Sequence, residues 1–123
     1  MRRLPVVILT ALAVLGLFIL SCSGKKNPVN PGGTAADVTI NILANNGSNS
    51  YNPNPDTMGV GQTISWHNGD SIGHTATSTS TNAFGTGVLA PGATSPKVAL
   101  NTPGTINYHC TIHAGMVGTI VVR

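Results

Sequence analysis

The sequence predicts an all-β domain, a sandwich of short strands. Gly (15) and Pro (8) are frequent, and Thr, Asn and Ser fill much of the remainder. Long helices disfavour that mixture, whereas turn-rich β structure uses it. Apolar residues alternate with polar ones in several short runs, and turn signals separate the runs. No helical periodicity and no internal repeat compete with this reading. The 123 residues suit one domain. Only 7% of them are charged, but 41% are hydrophobic and spread along the chain, enough to build a core.

The first segment, "MRRLPVVILTALAVLGLFILSC", is an address rather than part of the fold. Arg2 and Arg3 form a positive start, and Leu4 to Leu20 is uncharged and apolar. Ile19-Leu20-Ser21-Cys22 is similar to a bacterial lipobox, in which a small residue precedes a cysteine. The expectation is a signal peptide over 1–21, cleavage before Cys22 and lipid on Cys22. An uncleaved anchor is the alternative, since roughly 17–25 apolar residues can span a bilayer. Both readings put the rest of the chain outside a bacterial cytoplasm, tied to a membrane and facing the periplasm or the cell exterior.

Residues 22–36 then form the lipidated N-terminus and a linker, "SGKKNPVNPGGTAA" after the cysteine. Such a linker spans roughly 20 Å by random-coil scaling. The domain is expected over 37–123. "VTINILA" alternates, with Val38, Ile40 and Ile42 on one face. "NNGSNSYNPNPDT" reads as a long loop, and "QTISWHN" as a strand with Ile64 and Trp66 inward. "GDS" turns the chain into the extended piece "IGHTATSTS". "LAPGATSPKVAL" holds a Pro-Gly turn and a strand ending at Leu100. "TPGTINYHC" is a turn and a strand with Ile106, Tyr108 and Cys110 on one face, and "MVGTIVVR" closes the chain with Ile120 and Val122 inward. Trp66 is expected in the core and Phe84 beneath the loops.

Charge excludes one class of function. From Cys22 onward four cations (Lys25, Lys26, Lys97, Arg123) face three aspartates (Asp37, Asp56, Asp70), a formal +1. No basic patch with interleaved aromatics exists, so nucleic acid is not an expected partner.

Cysteine usage points elsewhere. Cys22 and Cys110 are the only two. With Cys22 lipidated, Cys110 has no disulfide partner, which is unusual in an exported protein. In "YHCTIHAGMVG" it is followed by His113 and Met116, and His74 lies on another extended piece. Two imidazoles, one thiolate and one thioether are the ligand set of a blue-copper electron-transfer site. Zinc is the competing metal, but its structural sites seldom recruit Met and usually pair ligands in two short clusters. His67 and His109 fall on the opposite strand face and read as surface or hydrogen-bonding residues.

With "ISWHNGDSIGHTATS", "VLAPGATSPKVALNTPGTINYHCTIHAGMVGTIVV" and the Cys-x2-His-x2-Met spacing in place, residues 38–123 resemble a small cupredoxin, a type 1 blue copper protein of the plastocyanin–amicyanin kind. The short loop has the amicyanin spacing; plastocyanins place two more residues between His and Met. The resemblance implies an eight-stranded Greek-key sandwich with one copper at one end, held by His74, Cys110, His113 and Met116. It also implies that His113 is the electron port, emerging through an apolar patch of Val88, Leu89, Ala90, Pro91, Ala114 and Gly115, where redox proteins dock. Two departures stand out. Many relatives have Pro where this chain has Ile112, and Asn where it has Thr75. An Ile112 N–H reaching the Cys110 sulfur would raise the reduction potential.

The function expected is a membrane-tethered, monomeric one-electron carrier between redox partners. It is not expected to be an enzyme, because protein groups fill every copper position. The alternatives are a copper storage, delivery or sensing protein, and a subunit of an oxidase whose catalytic copper lies elsewhere.

Overall fold

A computed structural model describes residues 35–80 and 83–123. Residues 1–21, Cys22 and the linker up to residue 34 lie outside the described residues. Among the described residues eight strands follow in order: β1 Val38–Ile42, β2 Tyr51–Asn52, β3 Asp56–Met58, β4 Thr63–Asn68, β5 Thr77–Ser78, β6 Val98–Ala99, β7 Gly104–His109 and β8 Val117–Val122. They form two four-stranded sheets, ordered β2-β1-β4-β6 and β3-β8-β7-β5. The fold is the all-β Greek-key sandwich expected. Among the described residues no helix is long and apolar enough to cross a membrane.

The alternation read from the sequence builds the core directly. Ile40, Ile42, Ile64 and Trp66 come inward from one sheet, and Met58, Tyr108, Ile120 and Val122 from the other, each 3% exposed or less. Tyr108 takes Tyr51 edge-on at 4.7 Å and Trp66 at 5.8 Å. Phe84 packs on Trp66 at 4.5 Å. Gly118 lies flat against the Tyr108 ring, where any Cβ would collide with it. That close approach is why β8 carries a glycine at this position.

One expectation fails. The stretch read as a long loop contains a 3-10 turn at Gly47–Asn49, all of β2 and the start of β3. Asn and Pro hide those strands by composition, yet Tyr51 is buried and Met58 joins the core. Asn54 explains how so polar a stretch docks. Its amide donates to Ser48 O and Val117 O, and its Oδ1 accepts from Thr119 N.

Strand direction sets two poles. β1 runs parallel to β4, from Val38 opposite Ile64 to Ile42 opposite Asn68. At the start of this pair, Asp37 Oδ2 accepts from the Thr63 amide at 2.7 Å and the Thr63 hydroxyl at 2.8 Å. At the other end the chain leaves β4 toward His74. β7 and β8 pair antiparallel up to His109 opposite Val117, which brings residues 110–116 to the same end.

Candidate metal centre

The loop from Cys110 to Met116 is closed by its own backbone. The Cys110 amide donates to Met116 O at 3.1 Å, and the Met116 amide to His113 O at 3.4 Å. Gly115 adopts φ +90° inside the turn, a backbone conformation that suits glycine. Cys110 continues the inward face of Tyr108 and is 3% exposed; Met116 is fully buried. His113 is partly exposed.

His74 comes from the opposite side and is fully buried. Its amide donates to Leu89 O and its carbonyl accepts from the Leu89 amide, so the backbone is pinned on both sides. Ahead of it, fully buried Asn68 braces the turn. The Asn68 amide group donates to Ile72 O and Leu89 O, both at 2.8 Å, and its Oδ1 accepts from the Asp70 amide at 3.0 Å. Asp70 Oδ2 accepts from His74 Nε2 at 2.8 Å. The His74 hydrogen bond, helped by the Ser71 amide, holds the Asp70 carboxyl below the usual carboxylate range.

The two sides bring three donor atoms together. His74 Nδ1 lies 4.0 Å from Cys110 Sγ and 3.0 Å from His113 Nδ1, and His113 Nδ1 lies 3.7 Å from the sulfur. One ion bound at about 2.0–2.3 Å from N and S donors needs a triangle of about this size. Among the described residues these are the one group of at least three His, Cys, Asp or Glu side chains so clustered. Neither His67 nor His109 joins it. His67 Nδ1 pairs with Thr94 Oγ1 at 2.9 Å on the outer face of β4, as a hydrogen-bonding residue.

The sulfur is prepared as a thiolate. Burial pushes the Cys110 thiol up, but the amides of Thr75 and Ile112 and the imidazoles of His74 and His113 outweigh it, bringing the pKa down to about 6. The Thr75 amide stands 3.4 Å from the sulfur. The Thr75 side chain also joins the two ligand segments. Its hydroxyl accepts from the Thr111 amide at 2.8 Å and meets the Thr111 hydroxyl at 3.1 Å. Both departures noted in the sequence therefore act on the sulfur or on the loop that carries it.

The surface around the site is apolar, with one correction. Leu89 is buried at 5%, because its two backbone bonds to His74 turn its side chain into the core. Val88, Ala90, Pro91, Ala114 and Gly115 are exposed as expected. Two residues not anticipated extend the apolar surface on the ligand-bearing segments: Ile112 at 50% and Ile72 at 47% exposure. Asn68 and Asp70 also escaped the sequence reading. The one signal available was an Asp four residues before a histidine, in a turn where Asp is common anyway.

Comparison with solved structures agrees with this fold. No family model matches the chain. A purple cupredoxin from Nitrosopumilus maritimus superposes with a TM-score of 0.62 at 27% identity, over 71% of this chain and all of that one. An oxidised amicyanin mutant matches at 22% identity and a TM-score of 0.62, over 73% of this chain and 87% of its own. A Cu-containing nitrite reductase from Thermus scotoductus matches at 26% identity and a TM-score of 0.60, over 70% of this chain but only 22% of that longer one. His74, Cys110 and His113 converge, with Met116 closing their loop, in a set like that of a type 1 copper site. Fold and donor set together are similar to those of cupredoxins.

Proposed function

We propose that the protein is a membrane-tethered electron carrier that holds one copper through His74, Cys110, His113 and Met116. The observation that carries this reading is the donor triangle at one pole, buried except at His113. Copper bound there would supply one-electron exchange between Cu(I) and Cu(II). The protein's part is to fix the donors so that neither oxidation state requires them to move. β4, Asn68 and the Leu89 pairing hold His74, while the backbone bonds of the 110–116 loop hold the other three. Met116 sets copper apart from zinc, because a thioether suits the softer Cu(I).

With Met116 as the fourth donor, protein groups would fill all four positions and leave no open one for a substrate, which favours a carrier over an enzyme. The nitrite reductase likeness does not argue against this, since it spans only 22% of that chain. His113, bordered by Ile112 and Ala114, is the natural electron port. Small apolar neighbours suit brief docking of a redox protein, and the protein acts as a monomer.

Lipid on Cys22 would tie the protein to a membrane facing the periplasm or cell exterior. The tether would enter at Asp37, beside the start of β4, while the donors follow its end. Six strand residues separate these points by about 20 Å. The port would then face away from the anchor, open to partners.

Copper storage or delivery is the competing reading. Repeated one-electron cycling of the copper-loaded protein, in the presence of a Cu(I) chelator, separates them. A carrier keeps its copper and gives a reversible wave. Loss of Cu(I) to the chelator within the first cycles would contradict the carrier.

A further inference from the structure

We propose that Asp70 is the positioning residue of the site, fixing the His74 tautomer and lowering the reduction potential through its charge. The inference deepens the copper-site reading and rests on it for the potential alone. His74 is fully buried, so water cannot serve both ring nitrogens. Its Nε2 meets Asp70 Oδ2 at 2.8 Å, and a carboxylate only accepts hydrogen bonds. Nε2 must therefore carry a proton, so the neutral ring turns its Nδ1 lone pair toward Cys110 Sγ and His113 Nδ1. The ring is committed as a ligand before any metal arrives.

The carboxylate is itself held in place. Asp70 Oδ1 accepts from the Ser71 amide at 2.6 Å and the Ser71 hydroxyl at 3.3 Å. Its backbone amide is tied to buried Asn68. A donor from the Ser71 turn on one oxygen leaves the other aimed at His74. A carboxylate behind a metal-bound imidazole makes that ligand more basic and favours the more highly charged ion. The negative charge thus stabilises the oxidised state relative to the reduced one. Neither effect needs movement, because the ring, the turn and the strand end are all braced.

Two substitutions separate position from charge. Asp70→Asn keeps an acceptor for Nε2–H and removes the charge; Asp70→Ala removes both. The tautomer is read without metal, from two-bond proton–nitrogen NMR of the purified metal-free protein. Zinc affinity gives a second readout that does not depend on copper. The wild type and Asp70→Asn should hold His74 as Nε2–H, while Asp70→Ala should populate Nδ1–H and bind zinc about 10–100-fold more weakly. Copper-loaded Asp70→Asn should have a higher potential than the wild type. An Asp70→Ala protein that keeps the Nε2–H tautomer, or binds zinc within about twofold of the wild type, overturns the positioning role. An Asp70→Asn potential at or below that of the wild type overturns the charge role. Should Asp70→Ala not fold, Asp70→Leu, which also lacks an acceptor, takes its place in the tautomer and zinc tests, and Asp70→Asn still decides the charge role through its potential. If copper fails to give a type 1 spectrum while the NMR and zinc results hold, the copper reading falls and the positioning role stands.

Discussion

The two sides of the metal pole are built differently. The 110–116 loop supplies three donors within seven residues and is closed by its own backbone bonds. The 68–76 segment supplies one donor, His74, and surrounds it with Asn68, Asp70 and Thr75, none of which belongs to the proposed ligand set. One side is rich in donors, the other in braces. Donor identity is therefore concentrated in the loop, while its geometry and electronic tuning come from across the gap.

The largest effect expected is on the loop's sulfur. The Cys110 thiol falls from an ordinary 9.0 to about 6, because hydrogen bonds from both sides overcome burial. In the metal-free protein its thiolate absorbance should titrate with a midpoint near 6. The folded-state value is depressed, so this contribution to stability is full above about pH 9 and is lost as pH falls through about 6. A midpoint near 9 would mean that the bracing segment does not act on the loop.

Next comes the brace itself. Asn68→Ala leaves Ile72 O and the Asp70 amide without their buried partner, and Leu89 O with only its bond from the His74 amide. The expected loss is about 2–3 kcal/mol in denaturant unfolding, since orphaned buried polar groups are costly. A loss below about 0.5 kcal/mol would mean that the turn does not depend on this residue. Thr75→Val should cost about 1–2 kcal/mol by removing the hydroxyl that ties Thr111, while leaving the potential nearly unchanged because the Thr75 amide stays on the sulfur. A large shift in potential would place the hydroxyl, not the amide, in control.

The smallest effect tests the other side. Ile112→Pro removes one of the two amides that act on Cys110 Sγ. The potential should fall by an amount on the order of 1 kcal/mol, or tens of millivolts. An unchanged or higher value would contradict a role for the Ile112 N–H.

The same contrast explains what could be read in advance. Cys110, His113 and Met116 were legible because three unusual donors share one turn, and the strands flanking them alternate cleanly. His74 was legible through the family resemblance. Asp70 was not, because an aspartate in a Gly-Asp-Ser turn is ordinary until the fold aims it at a histidine. Leu89 was misplaced for a related reason. Its neighbours are surface residues, and only its pairing with His74 turns it inward. β2 and β3 went unread because Asn54 and its hydrogen bonds, rather than an apolar pattern, dock that stretch.

The most direct test of the central claim is the visible and EPR spectrum of the purified protein with one equivalent of Cu(II). An intense visible charge-transfer band with narrow copper hyperfine splitting, abolished by Cys110→Ser, is the result predicted. A colourless protein, or one with an ordinary weak copper spectrum, would contradict the claim that these four residues assemble into a type 1 site.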